Sequence, residues 1–198
     1  TAQPQRLPVE AEHRVRIAGL EVGAVYVYQG EELGLPEADI PRERIEDPMH
    51  FRSGGTDPGR DGCRVPLPWT ADAPYAGFGG DTEPWLPQPE SWAKYAADLQ
   101  TGDPDSMLSL YREALRLRRT EPGFAAVRAS GDAAEAPLTW LPSGPGVLSF
   151  ARHDGLICVV NLAGPPTELP GHTSVLLTSG PLDDEGRLPQ DTAAWLRS

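Results

Sequence analysis

The chain has 198 residues, with 17 Lys+Arg against 29 Asp+Glu and a formal net charge of -12. That balance argues against a nucleic-acid backbone or an anionic membrane surface as partner. Two cysteines, Cys63 and Cys158, are too few for a disulfide framework, so free thiols in a reducing, cytoplasmic compartment are expected. No apolar run approaches the length of a membrane span, and the first 16 residues lack the apolar core of a secretion signal. A hydrophobic share of 39% beside 22 prolines and 21 glycines points to a real core threaded by long loops.

Val9 to Leu20 reads as a short, weakly patterned helix. Gly23-Ala-Val-Tyr-Val-Tyr28 reads as a strand apolar on both faces, the pattern of a strand inside a parallel sheet. Gln29-Gly-Glu-Glu-Leu-Gly34 follows it as a loop, at the strand end where α/β barrels build their active sites. Glu31 and Glu32 invite assignment as a catalytic pair, yet adjacent side chains point in different directions. Bonding to loop backbone or to an arginine is the better reading.

From Leu35 to Pro104 little regular structure is expected. Within this segment Gly55 to Trp69, GTDPGRDGCRVPLPW, is the most specific stretch. Arg60, Asp61 and Arg64 lie between Pro58-Gly59 and Pro66, Pro68 and Trp69, residues that restrict the backbone to one irregular path. Such a loop reads as a recognition element, with a solvated surface turn as the alternative. The aromatics Trp69, Tyr75, Phe78, Trp85 and Trp92 argue for order throughout. Ser91 to Asp98 reads as a short helix that places Trp92 and Tyr95 on one face as core.

Asp103-Pro104 is expected to open the main helix, with Asp as N-cap and Pro at the first helical position. Its apolar stripe comprises Met107, Leu108, Tyr111, Ala114 and Leu115, widened by Leu110 and Leu117. Glu121-Pro122-Gly123 ends it. Beyond Phe124 the character changes to short strands at Leu138–Leu141, Val147–Arg152, Leu156–Leu162, Val175–Thr178 and Thr192–Leu196. His153-Asp-Gly155 is a hairpin signal, and the spacing predicts a small antiparallel sandwich.

His13, His50, His153 and His172 are scattered, with no HxxxH and no CxxC, so neither a metal site nor a cofactor is expected. No GxGxxG and no GxxxxGK[ST] occurs. Cys158, mid-strand, reads as a small buried hydrophobe.

GAVYVYQGEELGL, RSGGTDPGRDGCRVPLPW, PWLPQP and MLSLYREALRLRR together resemble glycoside hydrolase family 13, within its α-glucosidase and oligo-1,6-glucosidase group. VLSFARHDGLICVVNL and LPQDTAAWL resemble that family's C-terminal β-domain. The resemblance implies the last strand, long loop and closing helix of a (β/α)8 barrel over residues 1–125. It implies a β-sandwich over 126–198. Before Gly23, residues 17–22 are shorter than the family's apolar helix there.

The implied chemistry is retaining hydrolysis of α-linked glucose from oligosaccharides by two carboxyl groups. In the family those groups lie on earlier strands, so no catalytic residue is assigned here and the chain by itself is expected to be inactive. Arg60 matches the arginine that bonds the innermost glucose, Asp61 and Arg64 would brace its loop, and Glu31 would order the wall after the last strand. A non-catalytic interaction module or a truncated gene product are the alternatives.

Overall fold

The computed structural model describes residues 26–124 and 138–198, which fall in two compact units, Tyr26–Leu110 and Tyr111–Ser198. The helix expected over Val9–Leu20, His13, and residues 23–25 of the expected strand lie outside the described residues. Tyr26 to Tyr28 are described and belong to no strand; Tyr26 is 84% and Tyr28 66% exposed. A strand is held by the ladder to its neighbours, and among the described residues no strand pairs with this segment.

In the first unit, α1 (Pro48–Arg52) and α2 (Ala97–Gln100) alternate with single 3-10 turns at Glu31–Leu33, Arg42–Arg44, Asp61–Arg64, Pro74–Gly77 and Glu90–Tyr95. The prolines explain the brevity, because each removes a backbone donor and disfavours helix in the residue before it. Leu33, Leu35, Ala38, Val65, Leu86, Trp92 and Leu108 still make one core, with Tyr95 packed against it. Trp92 and Tyr95 therefore sit as core, as their spacing predicts.

Side chains supply hydrogen bonds that regular elements would otherwise make. Gln100 Nε2 donates to Leu33 O and Tyr95 O at 2.9 Å each, while its Oε1 accepts from Leu108 N at 3.0 Å. Trp92 Nε1 donates to Pro36 O at 3.2 Å. A buried main-chain group must find a partner somewhere, and here it finds side chains.

The main helix, α3 (Met107–Thr120), starts three residues later than Asp103-Pro104 predicts. Asp103 Oδ1 instead accepts from Asp105 N at 3.0 Å, closing a local turn. Ser106 Oγ accepts from Ser109 N at 3.2 Å, the bond of an N-cap to the third helical residue. Leu108, Tyr111, Ala114 and Leu117 are the buried stripe, whereas Leu115, placed in it from spacing, is exposed.

In the second unit, Thr139–Trp140 (β1), Val147–Ala151 (β2), Leu156–Asn161 (β3), Ser174–Thr178 (β4) and Thr192–Arg197 (β5) form one antiparallel sheet ordered β1-β2-β3-β5-β4. The β2–β3 connection turns at Asp154 (φ 55°) and Gly155 (φ 69°), the left-handed pair that an Asp-Gly hairpin uses. Phe150, Cys158 and Trp195 face one another across three strands, and Cys158 is fully buried. On the opposite face Ile157, Val159, Ala194 and Leu196 pack with Leu188, Leu169 and Leu182. Leu188 belongs to an isolated bridge with Thr167, and this segment packs on that face of the sheet. Asn161, fully buried in β3, ties it to the sheet by donating to Leu188 O and Pro165 O and accepting from Gly164 N.

Candidate functional site: the arginine loop

The loop around Arg60 is built on two buried aspartates. Asp47 is 4% and Asp61 3% exposed. Asp47 caps α1: its Oδ1 accepts from Met49 N at 2.9 Å, and Pro48 stands at the first helical position. Its other oxygen, Oδ2, accepts from Arg60 N and from Arg64 Nη1, both at 2.9 Å. Asp61 Oδ2 accepts from Glu46 N at 2.7 Å and Asp47 N at 2.9 Å, and Oδ1 from Arg64 Nη1 at 2.9 Å. Two carboxylates thus share one guanidinium and take up four main-chain N–H groups.

The electrostatics follow from those donors. Asp47 titrates below the ordinary carboxylate value because the Met49 and Arg60 N–H groups favour its charge; burial opposes and Arg64 assists. For Asp61 burial is the largest influence and pushes upward, but the Glu46 and Asp47 N–H groups with Arg64 outweigh it. Arg64, bonded to Asp61 and Asp47, is held above its ordinary value.

Gly59 is required at its place. Its φ is +76°, and a Cβ there would stand 2.4 Å from Asp47 Cβ. Arg60 follows with both main-chain groups engaged, since its carbonyl accepts from Cys63 N at 3.2 Å and Cys63 Sγ at 3.1 Å. The Arg60 side chain is exposed, and its guanidinium has no hydrogen-bond or salt-bridge partner among the described residues. Its main chain is pinned and its charge is left available.

The structure therefore gathers Arg60, Asp61 and Arg64 into one cluster. Glu31 stands apart, with Oε2 accepting from Tyr28 N at 3.2 Å; Glu32 Oε2 accepts from Gly30 N at 3.0 Å. The Glu31 loop is tied to the arginine loop by Gln29 Nε2 donating to Val65 O at 3.1 Å. Asp47 is the residue that sequence reasoning left without a role. Its signal was present, an Asp-Pro pair ahead of a short helix.

The hollows of this unit include two of similar size. One of about 270 Å³ is lined by Glu37, Asp39, Ile40, Ile45, Pro58, Gly59 and Gly62 beside the arginine loop. The other, about 290 Å³, is lined by Pro68, Tyr75, Pro84, Pro87, Pro89 and Trp92. Among the described residues no cluster of three or more His, Cys, Asp or Glu could hold a metal ion. No described helix is long and apolar enough to cross a membrane.

The described fold pairs short helices around an arginine loop with an antiparallel β-domain, and known proteins share it. A family model described as "Alpha amylase, catalytic domain" matches residues 9–126. A probable alpha-glucosidase of Rhizobium meliloti (strain 1021) is 34% identical over 186 residues, covering 87% of this chain and 30% of that protein. The oligo-1,6-glucosidase IMA5 of Saccharomyces cerevisiae is 31% identical over 121 residues, covering 49% and 20%. Among solved structures, the alpha-glucosyl transfer enzyme XgtA superposes with a TM-score of 0.71 at 32% identity, covering 98% of this chain and 37% of that one.

The class is the α/β barrel fold followed by a C-terminal β-domain. The chain belongs to the α-amylase family, glycoside hydrolase family 13. It combines the final part of a (β/α)8 barrel with an antiparallel β-sandwich region, and spans about 30% of the length of its Rhizobium relative.

Proposed function

We propose that this chain is the C-terminal part of an α-glucosidase-type retaining glycosidase, acting on terminal α-linked glucose of oligosaccharides. Residues 1–125 would be the end of the catalytic barrel and 126–198 the β-sandwich, and Arg60 would bond the innermost glucose. Asp61 and Arg64 brace its loop, and Glu31 orders the wall beside it. The observation that carries the reading is Arg60 itself, with a pinned main chain and an exposed guanidinium free of partners among the described residues. A planar fork of N–H donors suits paired sugar hydroxyls.

Four carboxylates, Asp47, Asp61, Glu31 and Glu32, are poorly suited to the chemistry. Retaining hydrolysis needs a nucleophile and an acid whose pKa is raised. Asp47 and Asp61 titrate low and are occupied by Arg64 and backbone donors. Glu31 and Glu32 each accept from loop backbone. In this reading, as the family resemblance implies, the catalytic pair lies outside this chain. Cys63, exposed, and Cys158, buried, form no disulfide, which agrees with a cytoplasmic setting.

The test is an aryl α-glucoside assay on this chain combined with a separately produced N-terminal barrel portion. A charged hydrogen bond is worth about 1.5–3 kcal/mol. Arg60→Ala should therefore lower kcat/KM roughly 10- to 200-fold if the contact persists in the transition state. Unchanged kcat/KM in Arg60→Ala would remove Arg60 from the site.

A further inference from the structure

We propose that Asp47 is a positioning residue for Arg60, holding the main chain of the sugar-contacting arginine through its N–H so that the guanidinium is presented in one direction. This rests on the reading of Arg60 as a sugar contact.

Asp47 is the point where two separate pieces of backbone and one guanidinium meet. One oxygen fastens the start of α1 through Met49 N. The other fastens Arg60 N and, through Arg64, the far end of the same loop. Gly59 leaves no side chain between Asp47 and the Arg60 peptide, because a Cβ there would overlap Asp47. The Arg60 carbonyl is independently held by Cys63. Removing the Asp47 charge frees one side of that grip. A long side chain reaches a fixed target only when its Cα–Cβ direction is fixed, since small misplacements of a contact group cost rate steeply.

A positioning role differs from a structural one in how it combines with loss of Arg60. Asp98 provides the comparison. It is also a carboxylate bonded to backbone in this unit, accepting from Ala71 N and Leu99 N, and its side chain makes no hydrogen bond to Arg60, Asp61 or Arg64. In the two-part enzyme, Asp47→Asn should lower kcat/KM roughly 10-fold or more, and the double variant with Arg60→Ala should fall no further than Arg60→Ala. Asp98→Asn should leave the ratio between wild type and Arg60→Ala intact. Additive effects of Asp47→Asn and Arg60→Ala, or a wild-type kcat/KM in Asp47→Asn, would overturn the proposal.

A second measurement needs only the 198-residue chain. In amide hydrogen exchange the Arg60 N–H should be protected and lose that protection in Asp47→Asn, with Leu108 N–H unchanged. An Arg60 N–H unprotected in the wild type would refute the grip, whatever the enzyme assay gives. Full activity in Arg60→Ala would instead reject the sugar-contact reading, a different failure from additivity.

Discussion

The two units of this chain reach order by different routes. In Tyr111–Ser198 the main chain does most of the bonding, strand to strand, and β3 is buried along its whole length. In Tyr26–Leu110 no ladder runs through the unit: its main-chain bonds close mostly local turns, and segments distant in sequence are joined mostly by polar side chains, chiefly Asp47, Asp61, Gln100 and Trp92. The first kind of order is distributed and repetitive, so it should yield to lost apolar volume. The second is concentrated in single atoms. It suits a loop that must present one guanidinium, because a recognition loop depends on its placement rather than on regularity.

That contrast can be broken from either side. The largest effect is expected from Leu188→Ala, which empties a fully buried position against the sheet. A Leu→Ala cavity costs about 2–5 kcal/mol, and thermal unfolding of the β-domain should report it. Gln100→Ala is the counterpart in the irregular unit. It strands two carbonyls and one N–H, and a buried polar group left unpaired costs about 1–3 kcal/mol. Hydrogen exchange at Leu108 N–H should rise while the amides of β3 stay protected. If β3 exchanged equally fast, the two kinds of order would not be separable.

A smaller effect distinguishes the two candidate caps of α3. Ser106→Ala should cost about 1 kcal/mol and fray the first turn, whereas Asp103→Ala should leave the helix start in place. The reverse result, read from amide shifts at Ser109, would return the cap to Asp103.

The remaining effect is absent at neutral pH and appears only in acid. Asp47 and Asp61 titrate below the ordinary aspartate value of 3.8 in the folded chain. A depressed carboxylate stabilises the fold above its unfolded pKa, and that contribution disappears as pH falls through the folded value. Protection of Arg60 and Glu46 N–H should therefore hold down to about pH 4 and decline below it. Asp183 in the other unit is also depressed, with burial opposing and its bonds to Arg187 prevailing. Because it sits in an exposed turn, its protonation should leave the sheet amides unaffected.

How much of this was legible in the sequence follows the same division. The strands could be read because alternation and an Asp-Gly turn are local signals, and each strand lay within a residue or two of its expected range. The expected strand ending at Tyr28 was a different case, since its pattern describes pairing with neighbours that the described residues do not include. Arg60, Asp61 and Arg64 were picked out by their proline and glycine frame, and they do share one cluster. Asp47 escaped because its partners lie 13 and 17 residues away, a separation that no local pattern encodes. The same Asp-Pro signal that misplaced the start of α3 at Asp103 is the one that Asp47 obeys. What separates them is a nearby serine. Ser106 offers a better-placed cap, and nothing comparable stands near α1.

The most direct measurement is release of nitrophenol from an aryl α-glucoside by the purified 198-residue chain, beside the same chain mixed with an N-terminal barrel portion. Two carboxyl groups roughly 5–5.5 Å apart across the scissile bond are needed for retention, and Glu31, Glu32, Asp47 and Asp61 are each committed to backbone or to Arg64. No release is expected from the chain by itself, and Arg60-dependent release from the mixture. Turnover by the chain by itself that vanished in Glu31→Gln or Glu32→Gln would contradict this, and would make the paired glutamates catalytic.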